Sequence, residues 1–172
     1  MKHFLAALFI TATAAAAEPV SGTFASIDGG TLSVEDWRGQ PVMVVNTASR
    51  CGFTHQYDDL QALQDRYEDA GLVVLAVPSN DFRQELGSDA EVKDFCEVNF
   101  NLTLPMTTIS SVRGPEAHPF YQHLKQSVGF EPNWNFNKVL IGTDGQVLET
   151  WRSNTSPTAP SVIEAVEAAL TN

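Results

Sequence analysis

Single alternation of apolar and polar residues from Gly22 to Ser33, around Asp28-Gly29-Gly30, predicts a short hairpin with a glycine turn. Pro41-Val42-Met43-Val44-Val45 and Leu72-Val73-Val74-Leu75-Ala76-Val77 are different. They are continuous apolar runs, rich in β-branched residues and short, and read as strands covered on both faces. The first is reached through a turn-rich link, Val34 to Gln40. Between the runs, Gln56 to Ala70 puts Tyr57, Leu60, Leu63, Gln64 and Tyr67 on one helical face, and Gly71 supplies a stop. Two fully apolar strands joined by a helix predict a parallel βαβ unit with helices on both faces of its sheet.

Downstream, Asn80 to Ser88 has no period and reads as a loop. Asp89 to Phe100 is helical in pattern, with Val92, Phe95, Cys96 and Phe100 on one face and Ser88 as N-cap. A further helix is predicted from Ala117 to Lys125. Lys138 to Ile141, Asp144-Gly145 and Val147 to Trp151 predict an antiparallel hairpin, and Ser161 to Leu170 a closing amphipathic helix. A βαβ unit, a helix and then ββα predict an α/β fold: a thioredoxin-like three-layer sandwich with a central mixed β-sheet flanked by helices.

The start of the chain follows another rule. Lys2 and His3 precede an alanine-rich apolar stretch, Phe4 to Ala17, that closes on Ala15-Ala16-Ala17 before Glu18. This is the pattern of a secretory signal peptide over residues 1–17, cleaved after Ala17, with the folded domain over 18–172. An uncleaved anchor is the alternative, though the run is short for a membrane span. Export is therefore expected, to the periplasm of a Gram-negative bacterium. The formal charge of -11 and the lack of any basic run argue against nucleic acid as a partner. No second apolar run reaches spanning length, so stable membrane insertion is not expected.

Chemistry is concentrated at Asn46-Thr47-Ala48-Ser49-Arg50-Cys51-Gly52-Phe53-Thr54. Here Cys51 falls where a strand is predicted to end and a helix to begin. Free backbone N–H groups and a helix dipole favour a thiolate at such a junction. The competing reading is packing, the common fate of a cysteine, or a structural disulfide with Cys96 in an exported protein. No His, Cys or carboxylate spacing suggests a metal site, and no glycine-rich phosphate loop is present.

Three stretches together resemble the glutathione peroxidase family: Asn46 to Thr54, Gln84-Glu85, and Trp134-Asn135-Phe136-Asn137-Lys138. The resemblance runs from about Phe24 to the end of the chain. It implies that Cys51 is the peroxidatic residue and that Gln84, Trp134 and Asn135 surround its sulfur, with no cofactor and no metal. It also implies reduction of hydrogen peroxide or organic and lipid hydroperoxides through a sulfenic acid on Cys51, within an antioxidant, oxidative-stress role. The reductant would be glutathione or a thioredoxin-like protein. Two departures stand out. The link Asp81-Phe82-Arg83 before Gln84 is one residue shorter than usual, and Leu86 replaces a proline. Cys96 lies in the helix that carries a resolving cysteine in many members, but one position early, where Glu97 holds the usual place. One residue turns a helical side chain by about 100°, so Cys96 reads as a core residue, with resolution of Cys51 as the alternative. The short stretch from Thr107 to Asn133 implies a monomer. Rival functions are a thioredoxin-like disulfide oxidoreductase, against which Thr54 stands where a second cysteine would be, and a non-catalytic exported binding protein.

Overall fold

The computed structural model describes residues 18–171. The expected signal segment, residues 1–17, lies outside the described residues. Strands β1 (Thr23–Ala25) and β2 (Thr31–Ser33) form the predicted antiparallel hairpin. The main sheet comprises β3 (Val42–Thr47), β4 (Val73–Pro78), β5 (Lys138–Ile141) and β6 (Val147–Trp151), in the order β4-β3-β5-β6. β3 and β4 are parallel; β5 is antiparallel to both its neighbours.

Both faces of this sheet are covered, which explains why its central strands are apolar without alternation. Met43, Val45, Val74, Ala76 and Leu140 pack on one face against α1 (Gln56–Tyr67), α2 (Asp89–Phe100) and α4 (Pro160–Leu170). Val42, Val44, Leu75, Val77, Val139 and Ile141 pack on the other, against Phe120, Tyr121 and Leu124 of α3 (Pro119–Val128) and Phe24 of the hairpin. The predicted thioredoxin-like sandwich is thus the observed fold.

The boundaries differ where local chemistry decides them. Helix α3 begins at Pro119 rather than Ala117, because Nδ1 of His118 caps it by accepting the Phe120 N–H, and it runs on to Val128. Helix α1 stops at Tyr67; a tight 3-10 turn, Glu68–Ala70, then ends on Gly71 in the left-handed region at φ 105°. Ser88 caps α2 as expected, its hydroxyl accepting the Glu91 N–H.

Topology gathers four loops at one end of the sheet. The parallel strands β3 and β4 both finish there, and antiparallel β5 starts there, Lys138 pairing with Val45. β6 finishes there too, Trp151 lying opposite Lys138. The segments after β3, after β4, before β5 and after β6 therefore meet at the carboxyl edge of the parallel strands, where open α/β sheets place their sites.

Candidate active site

β3 extends beyond the apolar run, through Asn46 and Thr47, both buried. Ala48, Ser49 and Arg50 follow and lead into Cys51. The residues from Arg50 to Thr54 are consecutive turns, with the Thr54 N–H donating to the Cys51 carbonyl at 3.2 Å, and α1 starts only at Gln56. Cys51 thus precedes the helix instead of opening it. The helix dipole acts within the first turn, so the dipole argument from sequence is corrected to this extent. Cys51 is 5% exposed and packed against the apolar core.

The loop after β4 is fastened to this turn by two backbone donors. The Arg50 N–H donates to the Gln84 carbonyl at 2.8 Å, and the Ser49 N–H to Oε1 of Glu85 at 2.9 Å. The same Oε1 accepts the Leu86 N–H at 2.8 Å. Glu85 is buried, and burial pushes its carboxyl above the usual carboxylate range against the pull of these donors. Arg83 sits at φ 58°, a left-handed conformation that turns the shortened link into Gln84.

Gln84 reaches across to the loop before β5. Its Oε1 accepts Nδ2 of Asn135 at 2.9 Å. That uses the acceptor end of the amide and leaves its N–H groups without a partner among the described residues. Asn135 is fully buried, while Trp134 beside it is 41% exposed, its indole N–H likewise unengaged by any described residue. The Trp134 ring lies 5.4 Å from that of Phe82, centroid to centroid, and the Arg113 guanidinium covers Phe82 at 5.3 Å.

Buried side chains hold the backbone of this turn. Nδ2 of Asn46 donates to the Trp134 carbonyl, and its Oδ1 accepts the Asn137 N–H. The Ser153 hydroxyl donates to the Asn135 carbonyl, and Nζ of Lys138 to the Phe136 carbonyl. Phe136 itself is left-handed at φ 61°. Such a conformation costs free energy in a bulky residue and persists when its surroundings over-determine it.

Cys51, Gln84, Trp134 and Asn135, all proposed from sequence, therefore lie on loops bonded to one another. Cys96 stands apart. It is 1% exposed on α2, in the core with Val92, and burial pushes its thiol up to about 12. Both cysteines are free. Among the described residues no group of three His, Cys, Asp or Glu side chains is placed to hold a metal ion.

A family model for glutathione peroxidase matches residues 21–125. A glutathione peroxidase of Lactococcus lactis is 43% identical over 136 residues, covering 76% of this chain and 87% of its own. The chain belongs to the glutathione peroxidase family. A hydroperoxy fatty acid reductase of Synechocystis is 39% identical over 153 residues, covering 88% of this chain and 99% of its own. The crystal structure of Trgpx in its apo form superposes with a TM-score of 0.67 at 31% identity, covering 89% of this chain and 95% of that one. Like its family, the chain is a thiol-dependent peroxidase.

Asn46, Lys138 and Ser153 help to shape this candidate site, and no individual role is assigned to them from sequence. Asn46 and Lys138 are polar residues at the ends of apolar strands, and that misfit is the readable clue. Ser153 gives none. Arg50, Arg83 and Arg113 are scattered in sequence and all exposed, and none joins an ion pair among the described residues.

Proposed function

We propose that Cys51 is the peroxidatic residue, with Gln84, Trp134 and Asn135 as hydrogen-bonding groups around its sulfur. The Cys51 thiolate attacks one peroxide oxygen; the O–O bond breaks and the other oxygen departs as hydroxide or alkoxide, taking up a proton to give water or an alcohol. The sulfur is left as sulfenic acid, the first and reversible step of cysteine oxidation. A first reductant thiol displaces water from it to form a mixed disulfide. A second thiol then regenerates Cys51 and leaves as the oxidised reductant.

The observation carrying this reading is the pair of unengaged donors, the Gln84 amide and the Trp134 indole, on loops bonded to the Cys51 turn. Neither titrates, and both are held by the fold. Preorganised donors of this kind stabilise charge as it develops on a departing oxygen. Stopped-flow oxidation of Cys51 tests it. Gln84→Ala and Asn135→Ala are each expected to slow the reaction with hydrogen peroxide by about tenfold or more; unchanged rates would remove them from the site.

The substrates in this reading are hydrogen peroxide and organic or lipid hydroperoxides. Burial of Cys96 supports an external thiol as the reductant rather than internal resolution. The reading also holds the enzyme to be an exported, periplasmic monomer. Export rests on the pattern of Lys2 to Ala17 and the monomer on the short stretch from Thr107 to Asn133. N-terminal sequencing of secreted protein is expected to begin at Glu18, and sedimentation to give the mass of one chain.

A further inference from the structure

Lys138 opens the central strand β5, and it is fully buried. Its Nζ donates to Oε1 of Gln56 and to the Phe136 carbonyl, both at 2.7 Å. No carboxylate lies within ion-pair distance of it among the described residues. Asp59 on α1 is the acidic group that acts on it, and that carboxylate is already engaged by the hydroxyls of Ser156 and Thr158. Burying an ammonium without a counter-ion is expensive. The expense shows in its acidity, which burial drives down to about 7. A methionine of similar length would fill the same space without it.

What the lysine secures is the turn that carries Trp134 and Asn135. Three successive carbonyls there are each taken by one buried side chain: Trp134 by Asn46, Asn135 by Ser153, Phe136 by Lys138. The last two clamps are joined. Gln56, the first residue of α1, accepts from Lys138 and donates through Nε2 to the Ser153 carbonyl at 2.6 Å, while the Ser153 hydroxyl receives Nδ2 of Asn137 at 2.8 Å. Lys138 thus ties the left-handed Phe136 to the start of the helix that follows Cys51. The same network continues to the Asn135 carbonyl.

We propose that Lys138 is a positioning residue for peroxide reduction, its Nζ clamping the Phe136 carbonyl to Gln56 so that the left-handed turn holds Asn135 against Gln84. The proposal rests on the roles given above to Gln84 and Asn135. It separates two reactions of the same sulfur. Peroxide needs a positioned donor for the departing oxygen. Iodoacetamide does not, because iodide leaves unprotonated. Loosening the turn therefore slows the first and spares the second.

The experiment uses the full folded chain and compares Lys138→Met, Lys138→Gln and Asn135→Ala with the unaltered protein, measuring Cys51 oxidation by hydrogen peroxide and Cys51 alkylation by iodoacetamide. Lys138→Met is expected to lose on the order of tenfold to a hundredfold in the peroxide reaction, the scale of a displaced catalytic group, with alkylation within about threefold. Lys138→Gln, keeping one donor of shorter reach, is expected to lose about three- to tenfold, with alkylation again spared. Should Lys138→Met fail to fold, Lys138→Gln decides by the same contrast. A peroxide rate equal to that of the unaltered protein, or equal slowing of both reactions, overturns the proposal. If Asn135→Ala slows peroxide reduction and Lys138→Met does not, only the clamp is wrong. If Asn135→Ala changes nothing, the reading of the site fails and the clamp falls with it.

Discussion

The buried ammonium of Lys138 makes a quantitative prediction about stability and pH. In the unfolded chain its amine holds a proton up to the ordinary value of 10.5; in the folded protein burial drives it down to about 7. Between those values the unfolded state binds more protons than the folded one, so stability contributed by this group rises with pH. Below pH 7 both states are protonated and the penalty is constant. Each pH unit inside the window is worth about 1.36 kcal/mol. Allowing for half-protonation at the lower end, the gain from pH 7 to pH 9 is about 2 kcal/mol. Other groups titrate nearby. Native Cys96 keeps its proton to about 12 while the unfolded thiol loses it near 9.0, which lowers stability as pH rises past that value. A comparison with Lys138→Met cancels such terms, because they are common to both proteins. The substitution leaves Gln56 Oε1 and the Phe136 carbonyl unpaired, about 1–3 kcal/mol each, and removes a charge penalty of roughly the same total at pH 7, so the variant is expected to fold. Urea denaturation of both proteins at pH 7, 8 and 9 is the assay. The unaltered protein is expected to gain about 2 kcal/mol over Lys138→Met across the series; parallel curves would refute the assignment of a depressed, buried ammonium.

Three further outcomes follow from the geometry. Asn46→Ala strips the Trp134 carbonyl and the Asn137 N–H of their partners; it is expected to cost about 2–5 kcal/mol and lower Tm by roughly 5–15 °C in a thermal melt. Cys96→Ser removes a thiol that is buried and pushed up to about 12. With a small-molecule thiol as reductant it is therefore expected to retain peroxide turnover within about twofold, and a tenfold loss in the steady-state assay would make Cys96 the resolving residue. Ser88→Ala deletes the hydroxyl that caps α2 through the Glu91 N–H; it is expected to cost about 1 kcal/mol in denaturant with peroxide reactivity unchanged.

Elements whose burial is regular were legible in the sequence. The unbroken apolar runs at Val42–Val45 and Leu72–Val77 mark strands covered on both faces, and the three-four spacing from Tyr57 to Tyr67 marks α1. Ser88, Asp144-Gly145 and Gly71 mark ends through chemistry local to each. What the sequence hid depends on partners distant in the chain. Nothing local tells that Ser153 holds the carbonyl of Asn135, or that Arg50 and Gln84 share a hydrogen bond, because the sheet topology brings those loops together. The start of α1 at Gln56 was legible, but the conformation of the turns before it was not. The turns from Arg50 to Thr54 are set by bonds to the loop after β4, and they hold off the helix past Cys51. The apolar run stops at Val45 while β3 continues through the buried Asn46 and Thr47, because polarity there serves the site rather than the solvent.

The most direct measurement is the intact mass of the reduced protein after one equivalent of hydrogen peroxide, quenched in denaturant with excess alkylating agent so that buried thiols also react. The account predicts that Cys51 escapes labelling as sulfenic acid while Cys96 is fully alkylated. Complete labelling of both thiols, with the peroxide unconsumed, would contradict it.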